Sequence, residues 1–194
     1  MNNAIPKFCD IDNKTFNIDP TKIKKLITKK TKAIVPVHLY GVPSNMEKIM
    51  QIAKKYDLKV IEDSCQSPGS KYKNKYVGTI GHLGTFSTVE TKNISTGEGG
   101  VIVGNDKNLI HKCRLIRNHG ESYLLGNKRS YLPNMLGYNL RPTEFQATIG
   151  TEQLKRLNGI NKIRNRLGNY LIENLKNIKG IRVPIKKLKN SKIV

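Results

Sequence analysis

The chain has 194 residues, a formal net charge of +21 and 37% hydrophobic residues. This length fits one domain, and the mixture of apolar and charged residues can build a buried core, so wholesale disorder is not expected. No apolar run approaches the roughly 20 residues that cross a bilayer, and the first residues lack the apolar segment of a secretion signal. The three cysteines are too few and too scattered for a disulfide framework or a metal knuckle, which favours a cytoplasmic protein without a metal site.

The excess of positive charge would attract nucleic acid, so this function needs to be weighed. Lysine greatly outnumbers arginine, and isoleucine and asparagine are also abundant, a mixture that AT-rich coding produces without selection for a basic surface. No basic motif interleaved with aromatics, zinc ligand set or helix-turn-helix signature accompanies the charge. Compositional drift is therefore favoured, and nucleic-acid binding stays as the alternative.

The first 104 residues alternate short β-like runs with amphipathic helical stretches, which is typical of parallel βαβ units. A helix is predicted over residues 20–28, and a second begins with Ser44 as its N-cap and Glu47 three residues on. The predicted strands are residues 4–8, 33–37, 58–61, 84–87 and 99–103.

Helix signals dominate the second half of the chain. Asp106 can cap a helix that runs through Leu115, and Thr143 can cap a second one through residue 157. A third helix is predicted over residues 163–178, interrupted at Gly168. The basic residues 185–194 are predicted to be disordered.

Two segments carry side chains suited to chemistry. Strand 58–61 delivers Asp63 to the C-terminal edge of the sheet, where open α/β folds bind ligands; a helix cap or loop role is the alternative. The segment TFSTVETKNISTGEGG, residues 85–100, is rich in hydroxyls and glycine, and such a turn after a strand can hold an anion such as phosphate. Within it, Lys92 could act as a nucleophile toward carbonyls, or be one more solvated lysine.

Six short blocks occur in an order that resembles one family. They are VPVHLYG (35–41), VIEDSCQ (60–66), FSTVETKN (86–93), TGEGG (96–100), RNHG (117–120) and GYNLRPTEFQA (137–147). Together they closely resemble the sugar aminotransferases of the DegT/DnrJ/EryC1/StrS family, which use pyridoxal 5'-phosphate (PLP). The resemblance implies an α/β fold, the large domain of the fold-type I PLP-dependent aminotransferases, with a mostly parallel sheet flanked by helices.

The resemblance also implies roles for individual residues. Lys92 matches the lysine that forms a Schiff base with PLP and carries the proton during transamination. Asp63 matches the carboxylate that pairs with the pyridine nitrogen, and Gln66 the glutamine beside the ring. Ser87 matches a phosphate ligand. Asn139 matches an asparagine that reaches the phosphate in the neighbouring subunit, which implies a homodimer with a shared active site.

Other residues of the matching blocks have two possible roles. His38 and Tyr40 could line the sugar pocket, and packing is the alternative for both. Tyr138 and Arg141 could contact substrate or the partner subunit, or pack within the fold. His119 is expected to be structural.

The reaction that the resemblance implies is transfer of an amino group, with glutamate as the donor, to a nucleotide-linked keto-sugar. The blocks are most similar to the perosamine-synthase branch, and polysaccharide biosynthesis is the expected context, with a small glycoside as the alternative product. Lys92 argues against the dehydratase branch, in which a histidine replaces this lysine. A catalytically inactive fragment or scaffold subunit is the alternative.

A complete member of this family is about twice as long. The resemblance implies that residues 1–158 are the central part of the PLP-binding large domain, that residues 159–184 lead into a truncated C-terminal domain, and that residues 185–194 are a tail. The Gly-Thr phosphate loop and the aromatic side chain that stacks on PLP would precede this chain. We therefore expect this polypeptide alone to bind PLP weakly or not at all.

Overall fold

The computed structural model describes residues 3–122 and 135–194. The helices in these residues are α1 (Pro20–Ile23), α2 (Met46–Lys55), α3 (Lys107–Arg117) and α4 (Glu144–Leu175). The strands are β1 (Ala33–Ile34), β2 (Lys59–Asp63), β3 (Lys71–Tyr72), β4 (Lys75–Tyr76), β5 (Leu83–Ser87), β6 (Gly100–Val103) and β7 (Ser191–Lys192). Short 3-10 turns occupy Lys24–Leu26 and Leu39–Gly41.

A four-stranded sheet in the order β1-β2-β5-β6 lies at the centre of the fold. β1 and β5 each run parallel to β2, and β6 pairs antiparallel with β5. In the central pair, Ile61 lies opposite Leu83 and Asp63 lies opposite Thr85. Because β2 and β5 are parallel, they deliver Asp63 and Ser87 to the same edge of the sheet. The predicted α/β fold with a mostly parallel sheet is confirmed.

Helix α2 packs its apolar stripe against this sheet. Met46, Ile49 and Ala53 recur at helical spacing and are buried in one cluster with Ile34 and Val60. Full burial of a side chain such as Met46 or Ile49 contributes about 1.5–3 kcal/mol. The helix thereby fixes the positions of β1 and β2.

The N-cap of α2 lies one residue later in the chain than predicted. Asn45, rather than Ser44, is the N-cap, and its side chain accepts a hydrogen bond from Lys48 N–H at 3.3 Å. Ser44 Oγ instead donates to the carbonyl of Val37 at 2.8 Å. The Ser44 hydroxyl, predicted to cap α2, therefore stabilises the loop between β1 and α2.

Helix α4 is continuous where the sequence predicts two helices, with the second over residues 163–178 interrupted at Gly168. The predicted break is wrong, although Thr143 does begin the helix, through a capping box with Gln146. Glycine in a helix interior costs about 1 kcal/mol relative to alanine, so Gly168 weakens the helix without ending it. None of the helices in the described residues, α4 included, is long and apolar enough to cross a membrane.

Two predicted strands are absent or shorter. Residues 4–8 form no strand in the described chain, and Ile5 and Phe8 are 88% and 90% exposed, because no neighbouring strand pairs with them there. β1 contains only the first two residues of the predicted strand 33–37. Pro36 has no N–H group to donate to a neighbouring strand, which accounts for the early end.

The basic tail, for which the sequence predicts disorder, ends in strand β7. This strand pairs antiparallel with β3, with Ser191 opposite Tyr72. Asn165 on α4 adds a hydrogen bond from its Nδ2 to the carbonyl of Ile193 at 3.2 Å. The tail is thus held as an edge strand beside β3 and by a bond from helix α4.

Candidate active site

Asp63 is the last residue of β2 and lies at the carboxyl edge of the sheet. Its N–H donates to the carbonyl of Pro36 at 2.9 Å, and its own carbonyl accepts from His38 N–H at 3.0 Å. Its Oδ1 accepts a hydrogen bond from the N–H of Cys65 at 3.1 Å. These three bonds fix both the backbone and the side chain of Asp63, and the side chain stays half-buried.

Ser87 and Lys92 follow from the neighbouring strand. Ser87 ends β5, and its Oγ accepts from the N–H of Val89 at 3.3 Å. The N–H of Lys92 donates to the carbonyl of Val89 at 3.0 Å, which closes a tight turn. The hydroxyls of Thr88 and Thr96 lie 2.8 Å apart and join the two arms of the loop. Lys92 is therefore carried by a closed loop directly after the strand, with its side chain half-buried.

The thiol of Cys65, two residues after Asp63, responds to both Asp63 and Lys92. Burial raises the pKa of Cys65, and the hydrogen bond and negative charge of Asp63 raise it further. A hydrogen bond with Thr85 and the positive charge of Lys92 act in the opposite direction. The ionisation of this thiol is therefore sensitive to both the Asp63 carboxylate and the Lys92 amine.

Gln66 and Tyr40 meet at the neighbouring loop. The Oε1 of Gln66 accepts a hydrogen bond from the N–H of Tyr40 at 3.0 Å. The ring of Tyr40 is 70% exposed, and it lines a cavity of about 410 Å³ together with Arg164 and Lys186. Tyr40 is therefore accessible from outside, whereas the amide of Gln66 is already engaged with the protein backbone.

His38 has no exposed surface. Its Nδ1 accepts from the N–H of Ser44 at 3.0 Å, so its Nε2 carries the hydrogen and donates to Glu62 Oε2 at 3.0 Å. This environment favours the packing role that the sequence leaves open for His38 over contact with a sugar.

Asn139 lies on another segment, which pairs with the end of α3 through an isolated bridge to Asn118. Next to it, Arg141 Nη1 donates to the side-chain oxygen of Asn118 at 2.6 Å, and the backbone carbonyl of Tyr138 accepts from the N–H of His119 at 3.0 Å. The side chain of Arg141 thus fixes Asn118, while the bond from His119 is made by its backbone alone. Asn139 itself is exposed to solvent.

Sequence reasoning missed the role of Glu62, which is fully buried beside Asp63. Besides the bond from His38, its carboxylate accepts from the N–H groups of Gly78, Ile80 and Gly81 at 2.8, 2.7 and 2.5 Å. Burial by itself raises the pKa of Glu62, but the hydrogen bonds from His38 and from the Gly81 and Gly78 N–H groups outweigh it and lower the pKa. Side chains alternate between the two faces of a strand, so Glu62 lies on the same buried face of β2 as Val60. This alternation could have been used to predict its burial from the sequence.

The sequence also gave no indication of Asn161 on α4, which is 2% exposed. Its Oδ1 accepts from Asn93 Nδ2 at 2.7 Å, and its Nδ2 donates to the carbonyl of Pro68 at 2.8 Å. These partners are far away along the chain, so no local pattern could have revealed them.

The DegT/DnrJ/EryC1/StrS aminotransferase family matches residues 1–194, and the chain belongs to this family. The resemblance carried by the six sequence blocks is thereby confirmed. A pleiotropic regulatory protein of Geobacillus stearothermophilus is 50% identical over 147 residues, covering 75% of this chain and 38% of the relative. The GDP-perosamine synthase of Escherichia coli O157:H7 is 47% identical over 153 residues, covering 79% of this chain and 41% of the synthase. The chain thus spans less than half the length of these curated relatives.

Solved structures give the same fold. An aminotransferase from Psychrobacter cryohalolentis superposes with a TM-score of 0.86 at 37% identity, covering 98% of this chain and 52% of that protein. The E. coli GDP-4-keto-6-deoxy-D-mannose-3-dehydratase with bound hydrated PLP superposes with a TM-score of 0.83 at 36% identity, covering 92% and 49%. The described residues therefore adopt the fold of the PLP-dependent aminotransferases, as the resemblance implied.

Proposed function

We propose that this chain contributes the lysine and the carboxylate of a PLP-dependent nucleotide-sugar aminotransferase. One observation carries the proposal: β2 and β5 run parallel side by side, so that Asp63 at the end of β2 and the loop of Lys92 directly after β5 lie at one edge of the sheet. The GDP-perosamine synthase among the relatives supports a nucleotide-linked keto-sugar as the amino acceptor.

The side chains at this edge fit PLP group by group. The pyridine nitrogen needs an anionic partner, and Asp63 supplies a carboxylate fixed by the Cys65 N–H. The aldehyde needs an amine, and Lys92 presents one on a closed loop. Ser87 Oγ accepts from a backbone N–H and so keeps its own hydrogen for a phosphate oxygen.

When bound, PLP supplies an electron sink for removal of a proton from the carbon that bears the amino group. Asp63 would hold a proton on the pyridine nitrogen. Lys92 Nζ would hold the cofactor covalently and, once released, move the proton between the reacting carbons. Gln66 would lie beside the ring, and the exposed Tyr40 would face the sugar.

Several finer features belong to the same proposal. Glutamate would be the amino donor, and the acceptor would be that of the perosamine-synthase branch. Asn139 would reach the phosphate of the neighbouring subunit, so the working unit would be a homodimer, and its exposure is compatible with that role. The cytoplasmic location expected from the cysteine content stays a prediction.

Reductive trapping tests the proposal even when binding is weak. The protein is incubated with PLP, reduced with borohydride and mapped by peptide mass spectrometry. We expect the pyridoxyl group to concentrate on Lys92 rather than on exposed lysines such as Lys155, whose side chain is 65% exposed. Lys92→Arg should abolish the preferred label, whereas the control Lys155→Arg should leave the labelling of Lys92 unchanged. Labelling spread evenly over the lysines would contradict the proposal.

A further inference from the structure

We propose that Asn161 is a positioning residue that holds the loop of Lys92 against the loop that follows Asp63. This inference rests on the proposed function, because it concerns how the two loops of the same site are held at a fixed distance from each other. It assigns a role to a residue outside all six blocks by which the sequence resembles the family.

The contacts of Asn161 join the two loops through one side chain. Asn93, the residue directly after Lys92, donates its Nδ2 to Asn161 Oδ1 at 2.7 Å. On the other side, Asn161 Nδ2 donates to the carbonyl of Pro68 at 2.8 Å, in the loop that begins after Asp63. The amide therefore bridges the two segments that carry the proposed amine and carboxylate.

The surroundings of Asn161 restrict this position to an amide. Its side chain is buried, so a lost hydrogen bond is not replaced by bulk water. It must accept on one side and donate on the other, which an aspartate or a leucine of similar size cannot do. Gly69 has a positive φ of +96°, and a Cβ built on it would lie 2.9 Å from Asn161 Nδ2. Glycine at position 69 thus gives the amide room to reach the carbonyl of Pro68.

The helix that carries Asn161 gives the bridge a rigid support. Helix α4 is continuous from the capping box at Thr143 through Leu175. At its start, Gln146 Nε2 also donates to the carbonyl of Glu98 at 3.1 Å, so α4 contacts the Lys92 loop at a second point. Loss of the Asn161 side chain would therefore remove its bond to the Pro68 loop, while the bond from Gln146 to Glu98 would still tie α4 to the Lys92 loop.

Neighbouring residues supply matched variants. Asn161→Ala removes both hydrogen bonds, and Asn93→Ala removes only the bond next to Lys92. Asn165→Ala serves as the control, because Asn165 lies one turn further along α4 and its amide also holds a backbone carbonyl, that of Ile193 at 3.2 Å. The control removes a helix-to-loop bond of the same kind, but from the C-terminal tail instead of the site.

The readout is the share of borohydride-trapped pyridoxyl on Lys92, divided by that on Lys155 in the same molecule, together with the midpoint of thermal unfolding. We expect Asn93→Ala to lower this ratio about five-fold, the effect of one net hydrogen bond, and Asn161→Ala, which removes both bonds, to lower it at least as far. The double variant should fall little further than Asn161→Ala, because the two residues share a bond. Asn165→Ala should lower the unfolding midpoint without changing the ratio.

The outcomes separate the two proposals. If the wild-type protein labels Lys92 preferentially and both Asn161→Ala and Asn93→Ala keep the wild-type ratio, the positioning role is wrong and the proposed function stands. A decrease equal to that in Asn165→Ala would also overturn it, since the effect would then be one of general stability. If the wild-type protein shows no preference for Lys92, the proposed function fails, and the positioning role fails with it.

Discussion

At the scale of single residues, a buried carboxylate organises the surroundings of the site. Glu62 accepts hydrogen bonds from His38 and from three N–H groups of the turn before β5. It thus joins the loop after β1, the end of β2 and the start of β5, although it is not one of the proposed cofactor ligands. A buried charge is tolerated only where hydrogen bonds compensate for lost hydration, and here four donors do so.

Glu62→Gln should destabilise the protein by about 3 kcal/mol, because an amide group would face N–H donors that need an acceptor. Urea unfolding at neutral pH measures this change. The control Glu47→Gln removes a carboxylate from an exposed ion pair with Lys73 and should have little effect. A Glu62→Gln protein as stable as the wild type would contradict the account of this cluster.

The lowered pKa of Glu62 sets the sign of the pH dependence. Its folded pKa lies below the ordinary value of 4.5, so its contribution is present above pH 4.5 and is lost as the pH falls through the folded pKa. The stability difference between the wild type and Glu62→Gln should therefore shrink on acidification below pH 4.5. A difference that stays constant across this range would show that the charge of Glu62 contributes nothing.

At the scale of elements, strand β5 depends on close contact with the turn that precedes it. Gly84 is buried, and a Cβ built on it would overlap the backbone of Gly78. Gly78 is in turn held by Glu62, so the turn has little freedom to withdraw. Contact with this turn therefore fixes the position of β5, the strand that ends at Ser87 and leads to the loop of Lys92.

Gly84→Ala should displace β5, lower the unfolding midpoint and reduce the trapping of pyridoxyl on Lys92. The matched control is Gly159→Ala in helix α4, where an added Cβ has no atom within 4 Å. That change should instead stabilise the protein by about 0.5–1 kcal/mol, since alanine favours a helix more than glycine does. Equal effects of the two substitutions on stability would contradict the packing described for β5.

At the scale of the whole molecule, the sequence predicted local elements better than their lengths and partners. Asp106 and Thr143 begin helices as their cap chemistry predicts, because a cap depends only on the next three residues. The break predicted at Gly168 and the strand predicted over residues 4–8 are wrong, since neighbours distant in sequence decide whether such segments persist.

The residues of the candidate site likewise differ in how well local sequence predicts them. Asp63 and Lys92 could be singled out from their positions after apolar strands and from the resemblance, because both lie within short motifs. Asn161 could not, since its partners Asn93 and Pro68 come near it only in the folded chain. Ligands of a site are thus more readily predicted than the residues that hold the ligands in place.

The central claim is that Asp63 at the end of β2 and Lys92 in the loop after β5 would hold the same flat ring. The most direct test is the nitrogen-15 chemical shift of ¹⁵N-labelled pyridoxyl trapped on Lys92, compared between the wild type and Asp63→Asn. The account predicts a protonated pyridine nitrogen at neutral pH in the wild type and a loss of that protonation in Asp63→Asn. The same chemical shift and the same titration in both proteins would contradict it.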